Sequence, residues 1–122
     1  MTKKPDIRLK RAYDAAGDAD GYRILVDRIW PRGVSKEKLR LDDWPKELAP
    51  STELRKWIHH DPKKWEEFKK RYFEELEDQK EALEALEKTC REKTLTLVFA
   101  AKDTERNNAA ALKDFLEARM SG

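Results

Sequence analysis

The stretch "YRILVDRIWPRG", residues 22 to 33, decides how the chain is read. Its Ile24-Leu25-Val26 run has the pattern of a strand buried on both faces, as in the middle of a sheet covered by helices. Pro31 cannot donate to a ladder and Gly33 permits a tight turn, so a strand near residues 22 to 30 ends there. A strand needs only a turn to finish, yet this one finishes with Asp27, Arg28, Trp30 and Arg32. Side chains alternate along a strand, which puts Arg28 and Trp30 on one face. Two arginines around an indole at a strand end read as one wall of an anion-binding crevice.

Working outward, "IRLKRAY" alternates Ile7 and Leu9 with Arg8 and Lys10, a half-exposed strand near residues 6 to 13 at or near a sheet edge. "DAAGDADG" is a loop, and "TLTLVFAA", residues 94 to 101, is the third strand. The middle is helical. Ser51 caps a helix bearing Leu54, Trp57 and Ile58, and Asp61-Pro62 starts another. Trp65, Phe68, Tyr72 and Leu76 form its apolar stripe. Asp78 and Glu81 resemble a capping box ahead of Leu83, Leu86 and Cys90, so residues 63 to 93 are two helices or one long kinked one. Asp103 or Thr104 caps a last helix whose inner face holds Leu112, Phe115 and Leu116. This order predicts a single α/β domain over residues 1–122, with a small sheet between helical layers. The first connection, about eight residues, is shorter than a parallel crossover usually requires, so the sheet is expected to be mixed but mainly parallel. The last two strands are the expected parallel pair.

Composition narrows the partners. Charged residues make up 43% of the 122 and apolar residues 39%, which implies a compact core and wide polar helix faces. Lys plus Arg number 27 against 25 Asp plus Glu, a formal balance of +2. No global basic field calls for nucleic acid or a membrane, and nucleic-acid binding is expected to be weak. Cys90 is the only cysteine, which suits a reducing compartment. No apolar run approaches the roughly 20 residues of a membrane helix, and "MTKKPDIRLK" is not a secretory signal. A cytoplasmic protein is the plain expectation.

In open α/β sheets ligands bind beyond the carboxyl ends of the strands. There Arg28, Arg32 and Lys102 would supply charge, and Asn107 and Asn108 amide hydrogens, at the start of the last helix. Asp27 and Asp103 are the acids available for proton transfer. The plainer alternatives are structural ion pairs for Asp27 and Arg28, a core plug for Trp30 and helix capping for "KDTERNN". His59-His60 lacks further ligands at metal spacing, so neither a metal nor any other cofactor is expected. Ser51 reads as a cap rather than a nucleophile, and Cys90 as inert core.

The motifs "VDRIWPRG", "LAPSTELRKW" and "AAKDTERNNA" are specific in combination, and from Ile7 to Leu116 the chain resembles the uncharacterised bacterial YeaO-like family. The family carries no settled activity. Its longer relatives have a cysteine in the last strand and a Cys-His-Arg group at the helix start, and closer ones often have histidine at the second asparagine position. Here those stretches read Phe99-Ala100-Ala101 and Asn107-Asn108-Ala109. Two readings follow. One is a small enzyme acting on a phosphorylated or carboxylated metabolite. The other is a non-catalytic module that binds an anionic ligand or nucleic acid, extended by Arg23, Arg55, Lys56, Lys63 and Lys64 if their helix faces that way; the missing thiol and imidazole favour binding.

Overall fold

A computed structural model describes residues 5–58 and 61–121. Strands β1 (Ile7–Arg11), β2 (Tyr22–Leu25) and β3 (Leu95–Phe99) form a sheet in the order β1-β3-β2. Both outer strands run parallel to β3, with Ile7 and Tyr22 each opposite Leu95. The α/β class and the β2–β3 parallel pairing are as expected, but among the described residues no strand is antiparallel, so this sheet is parallel rather than mixed. The crossover-length rule misled because β1 and β2 are not neighbours. The ten residues between them return across β3, where the Thr96 hydroxyl donates to the Asp20 carbonyl at 2.6 Å. Extended chain rises roughly 3.3 Å per residue, so ten residues can retrace a five-residue strand without a helix.

A second correction concerns which strand is central. That strand is β3, whose five residues are all buried. β2 lies at an edge, and its free edge is covered by a loop. Asp42 and Asp43 donate their backbone N–H groups to the Arg23 carbonyl at 2.8 and 3.3 Å, and Leu25 donates to Asp43 at 3.3 Å. A loop-covered edge strand and a central strand are equally apolar, and periodicity alone does not separate them.

The helices α2 (Thr52–Ile58), α3 (Trp65–Glu77), α4 (Lys80–Glu92) and α5 (Asn108–Met120) all pack on one face of the sheet. There Ile7, Ile24, Val26, Leu95, Leu97 and Phe99 meet Leu54, Tyr72, Leu83 and Leu112. On the opposite face Leu25 and Val98 lie under Val34, Leu39, Trp30 and Trp44. Its only α-helix among the described residues is the single turn α1 (Lys36–Leu39), so the sheet does not lie between two helical layers. Residues 65 to 92 form two helices. The Asp78–Glu81 capping box does not form: Asp78 ends α3, and Gln79 precedes α4 without a side-chain cap.

Ser51 is a cap, as expected. Its Oγ accepts from the Leu54 N–H at 3.1 Å and donates to Glu75 Oε2 at 2.6 Å, which ties the start of α2 to α3. Cys90 is buried on α4, and burial pushes its thiol pKa up to about 11. None of the described helices is long and apolar enough to cross a membrane.

Candidate functional site

Beyond Leu25 the second strand leaves the sheet earlier than expected. The Val26 N–H still donates to Val98 at 3.0 Å, but residues 27 to 30 are not strand and Ile29 is 56% exposed. The cause is Asp27. Its Oδ2, in place of a backbone carbonyl, accepts the Ala100 N–H at 2.8 Å, so the two chains separate at that point. Asp27 Oδ1 accepts from Asn108 Nδ2 at 2.9 Å, and its backbone carbonyl accepts from Trp44 Nε1 at 2.7 Å. One residue thus joins β2, the end of β3 and the start of α5. Burial raises the Asp27 pKa above its ordinary value, against the lowering effect of the Asn108 and Ala100 hydrogen bonds and the Arg55 charge.

The separation opens a cavity of about 480 Å³ at the carboxyl ends of β2 and β3. Asp27, Arg28, Trp30, Arg32, Asp103, Asn107 and Asn108 all line it, so the two sequence segments do meet. Lys102 is exposed and does not line it, contrary to expectation. The asparagines differ from expectation too, because both amide nitrogens donate inside the fold. Asn107 caps α5 in place of Asp103 or Thr104, accepting from the Ala110 N–H at 2.8 Å and donating to the Asp103 carbonyl at 2.9 Å. Asn108 Nδ2 donates to the Val26 carbonyl at 2.8 Å as well as to Asp27.

Asp103 builds the loop before the cap. Its carboxylate accepts the backbone N–H groups of Glu105 and Arg106 at 2.9 and 3.0 Å. Those bonds, from Arg106 first and then Glu105, hold its pKa below the ordinary carboxylate value. An acid kept ionised in this way is a poor proton carrier near neutrality.

The arginines differ from one another. Arg28 donates from Nε to the Pro50 carbonyl at 3.2 Å and from Nη2 to Ala49 at 3.3 Å, which aims it across the cavity wall. The proposed alternation with Trp30 does not apply, since neither lies in a strand. Arg32 sits in a turn closed by Val34 donating to Pro31 at 3.4 Å, with Gly33 at φ 79°, a conformation that favours glycine. Arg55, on α2, also lines the cavity, whereas Arg23 is buried elsewhere and Lys56, Lys63 and Lys64 are not in the wall. Arg106 completes the set and was not singled out in the sequence; it stands between the two residues, Asp103 and Asn107, that fix the loop. Among the described residues none of Arg28, Arg32, Arg55 and Arg106 forms an ion pair.

The apolar wall was also missed, because its residues read as core. Trp65 and Phe68 stack at 5.6 Å with planes 18° apart, and Ile58 and Pro50 extend the surface they make. Trp30 donates from Nε1 to the Val34 carbonyl at 2.6 Å and meets Trp44 edge-on at 5.5 Å, so it is both a core plug and a wall. His59 and His60 lie outside the described residues. No group of three or more potential metal ligands occurs among the described ones.

A family model described as "Inactive DUF488-N3 subclade" matches residues 6–122. "Uncharacterized protein YeaO" of Escherichia coli (strain K12) is 45% identical over 111 residues, covering 91% of this chain and 96% of YeaO. "Uncharacterized protein Rv3073c" of Mycobacterium tuberculosis (strain ATCC 25618 / H37Rv) is 42% identical over 119 residues, covering 98% of this chain and 100% of that protein. "Uncharacterized protein Mb3100c" of Mycobacterium bovis (strain ATCC BAA-935 / AF2122/97) matches to the same extent. No solved structure matches the chain significantly.

Proposed function

The chain belongs to the Inactive DUF488-N3 subclade, and on that premise we propose that its cavity binds a small anionic ligand without turning it over. The observation that carries this reading is the set of four arginines around one cavity, none with a carboxylate partner among the described residues. Asp27, Asp61 and Asp103 share the wall, so it carries a net charge of +1 with every group ionised, rising to +2 when Asp27 holds its proton. A guanidinium presents a planar fork that matches two oxygens of a phosphate or carboxylate.

Binding without turnover is supported by what the wall contains. Its described residues include no cysteine, histidine, serine or lysine, the usual sources of a nucleophile or general base. Asp27 holds the fold together with both carboxylate oxygens. The word "inactive" in the family description points the same way.

A thermal-shift screen with inorganic phosphate, sulfate, short carboxylates and a short oligonucleotide tests the reading. A ligand at a hundredfold excess over its Kd stabilises the native state by about 2.7 kcal/mol. Stabilisation by a small anion, reduced by Arg55→Ala, is the expected result. If only the oligonucleotide binds at physiological salt, and Arg55→Ala leaves that binding intact, the nucleic-acid reading takes its place.

A further inference from the structure

Two features of the cavity have to be explained together: its arginines and the apolar character of most of its wall. We infer that its ligand is an anion carried on a flat aromatic body rather than a bare inorganic anion. The inference rests on the anion-binding reading above and names the ligand class for that site.

The two indoles come from opposite sides of the sheet. Trp65 packs with the large core on the helical face, whereas Trp30 packs with the smaller cluster on the other face. The cavity therefore wraps around the carboxyl end of the sheet, with an indole from each side. At about 480 Å³ it falls within the roughly 300–1,000 Å³ typical of small-molecule sites. A phosphate-sized ion held by the arginines would leave the half-buried Trp30, Ile58 and Trp65 facing water. Ile29, 56% exposed, stands in the same wall, where a ligand body would cover it.

The shape of this surface favours a ring over an alkyl chain. Trp65 stacks on the buried Phe68 with planes 18° apart, so its indole is held flat in the cavity wall on α3. Aromatic groups add offset or edge-on contacts to the area they bury, and guanidinium planes stack on rings as well. Because the Trp30 Nε1 hydrogen is already donated to Val34, that indole presents mainly carbon to a ligand. The wall thus combines charge for one end of a molecule with flat apolar surface for the other.

Matched phosphonates separate the two parts, and calorimetric titration reads them. Methylphosphonate carries the head alone, phenylphosphonate adds a ring, hexylphosphonate adds a flexible chain, and benzyl alcohol keeps a ring without the charge. Phenylphosphonate should bind roughly tenfold or more tighter than methylphosphonate, with hexylphosphonate between them and benzyl alcohol weakest. Trp65→Leu should remove most of the preference for the phenyl compound, read as the ratio of phenylphosphonate to methylphosphonate affinity. Because Trp65 also touches the core, Ile29→Ser at an exposed position provides a second variant, expected to weaken phenylphosphonate a few-fold. Equal affinity for the methyl and phenyl compounds, or a hexyl compound as tight as the phenyl one, overturns the inference and leaves anion binding standing. If benzyl alcohol matches phenylphosphonate, or no phosphonate binds, both readings fall.

Discussion

Arg23, near the amino ends of the strands, and the four arginines around the carboxyl-end cavity carry the same group into opposite surroundings. Arg23 is 3% exposed, and its guanidinium is bonded within the fold. It donates from Nε and Nη2 to the Leu39 carbonyl at 3.0 and 2.7 Å, and from Nη1 to Asp20 at 2.7 Å. Asp20 in turn takes Lys10 Nζ at 3.1 Å and the Gly17 N–H at 3.0 Å. Each of the three guanidinium nitrogens of Arg23 thus has a partner inside the fold. Arg32, Arg55 and Arg106 are exposed and make no side-chain hydrogen bond among the described residues. A cation whose bonds are closed within the fold is structural. A cluster of open ones in a concave site requires an occupant or exists at a cost in mutual repulsion.

The contrast is broken most readily by stability measurements. Arg23→Ala leaves Asp20 buried and short of a partner, and removing one member of a buried pair costs about 3–5 kcal/mol. Stabilities of whole domains are only about 5–15 kcal/mol, so urea unfolding should show a large fall in midpoint. An Arg23→Ala loss below about 1 kcal/mol would mean the network is not structural. The glycines sharpen the same comparison. A Cβ at Gly21, at φ 66°, would stand 2.4 Å from the Thr94 carbonyl oxygen, whereas one at Gly33 meets nothing within 4 Å. Gly33→Ala should cost only the left-handed backbone penalty, about 1–2 kcal/mol, and Gly21→Ala distinctly more, as read by thermal melting.

Acid titration should separate the two ends by sign. Hydrogen bonds from Gly17, Lys10 and Arg23 together outweigh burial at Asp20, so its pKa lies below the ordinary 3.8. Its stabilising contribution is complete above that value and is lost as pH falls through the folded pKa. Asp27 has the opposite shift: its folded pKa is raised, so its contribution favours the native state at low pH and is lost as pH rises through that pKa. Protonating Asp27 also adds positive charge to the cavity. Anion affinity should therefore increase as pH falls from neutral through the Asp27 pKa, and the titration of Asp27→Asn should lack that rise. The smallest stability effects belong to Arg32→Ala and Arg106→Ala, each within about 0.5 kcal/mol of wild type.

The parts legible in the sequence were those carried by local pattern. The three strands, the Ser51 cap and the meeting of "DRIWPRG" with "KDTERNN" follow from periodicity, proline and glycine placement, and the strand-end rule. Strand order was not legible, because a loop-covered edge strand such as β2 is as apolar as a central one. At the site, composition alone does not tell a donor aimed at a ligand from one spent on the backbone, and Asn107 and Asn108 proved to be the latter. Trp65 and Phe68 were hidden for the reverse reason: a stripe that faces a cavity has the same spacing as one that faces core. Arg106 left a signal in retrospect. Asp103 followed three residues later by a backbone N–H that it can accept marks a tight loop, and the residue supplying that N–H is turned outward.

The most direct test of the open carboxyl-end cations is calorimetric titration of phenylphosphonate into wild type and into the Arg32→Ala/Arg106→Ala double variant. The melting temperatures of the two unliganded proteins should agree closely. The account predicts binding by wild type that weakens by roughly tenfold or more in the double variant, as expected for the loss of charge-assisted hydrogen bonds. Equal affinity in the two proteins would contradict it. So would a double variant that unfolds as readily as Arg23→Ala, because these arginines would then belong to the fold.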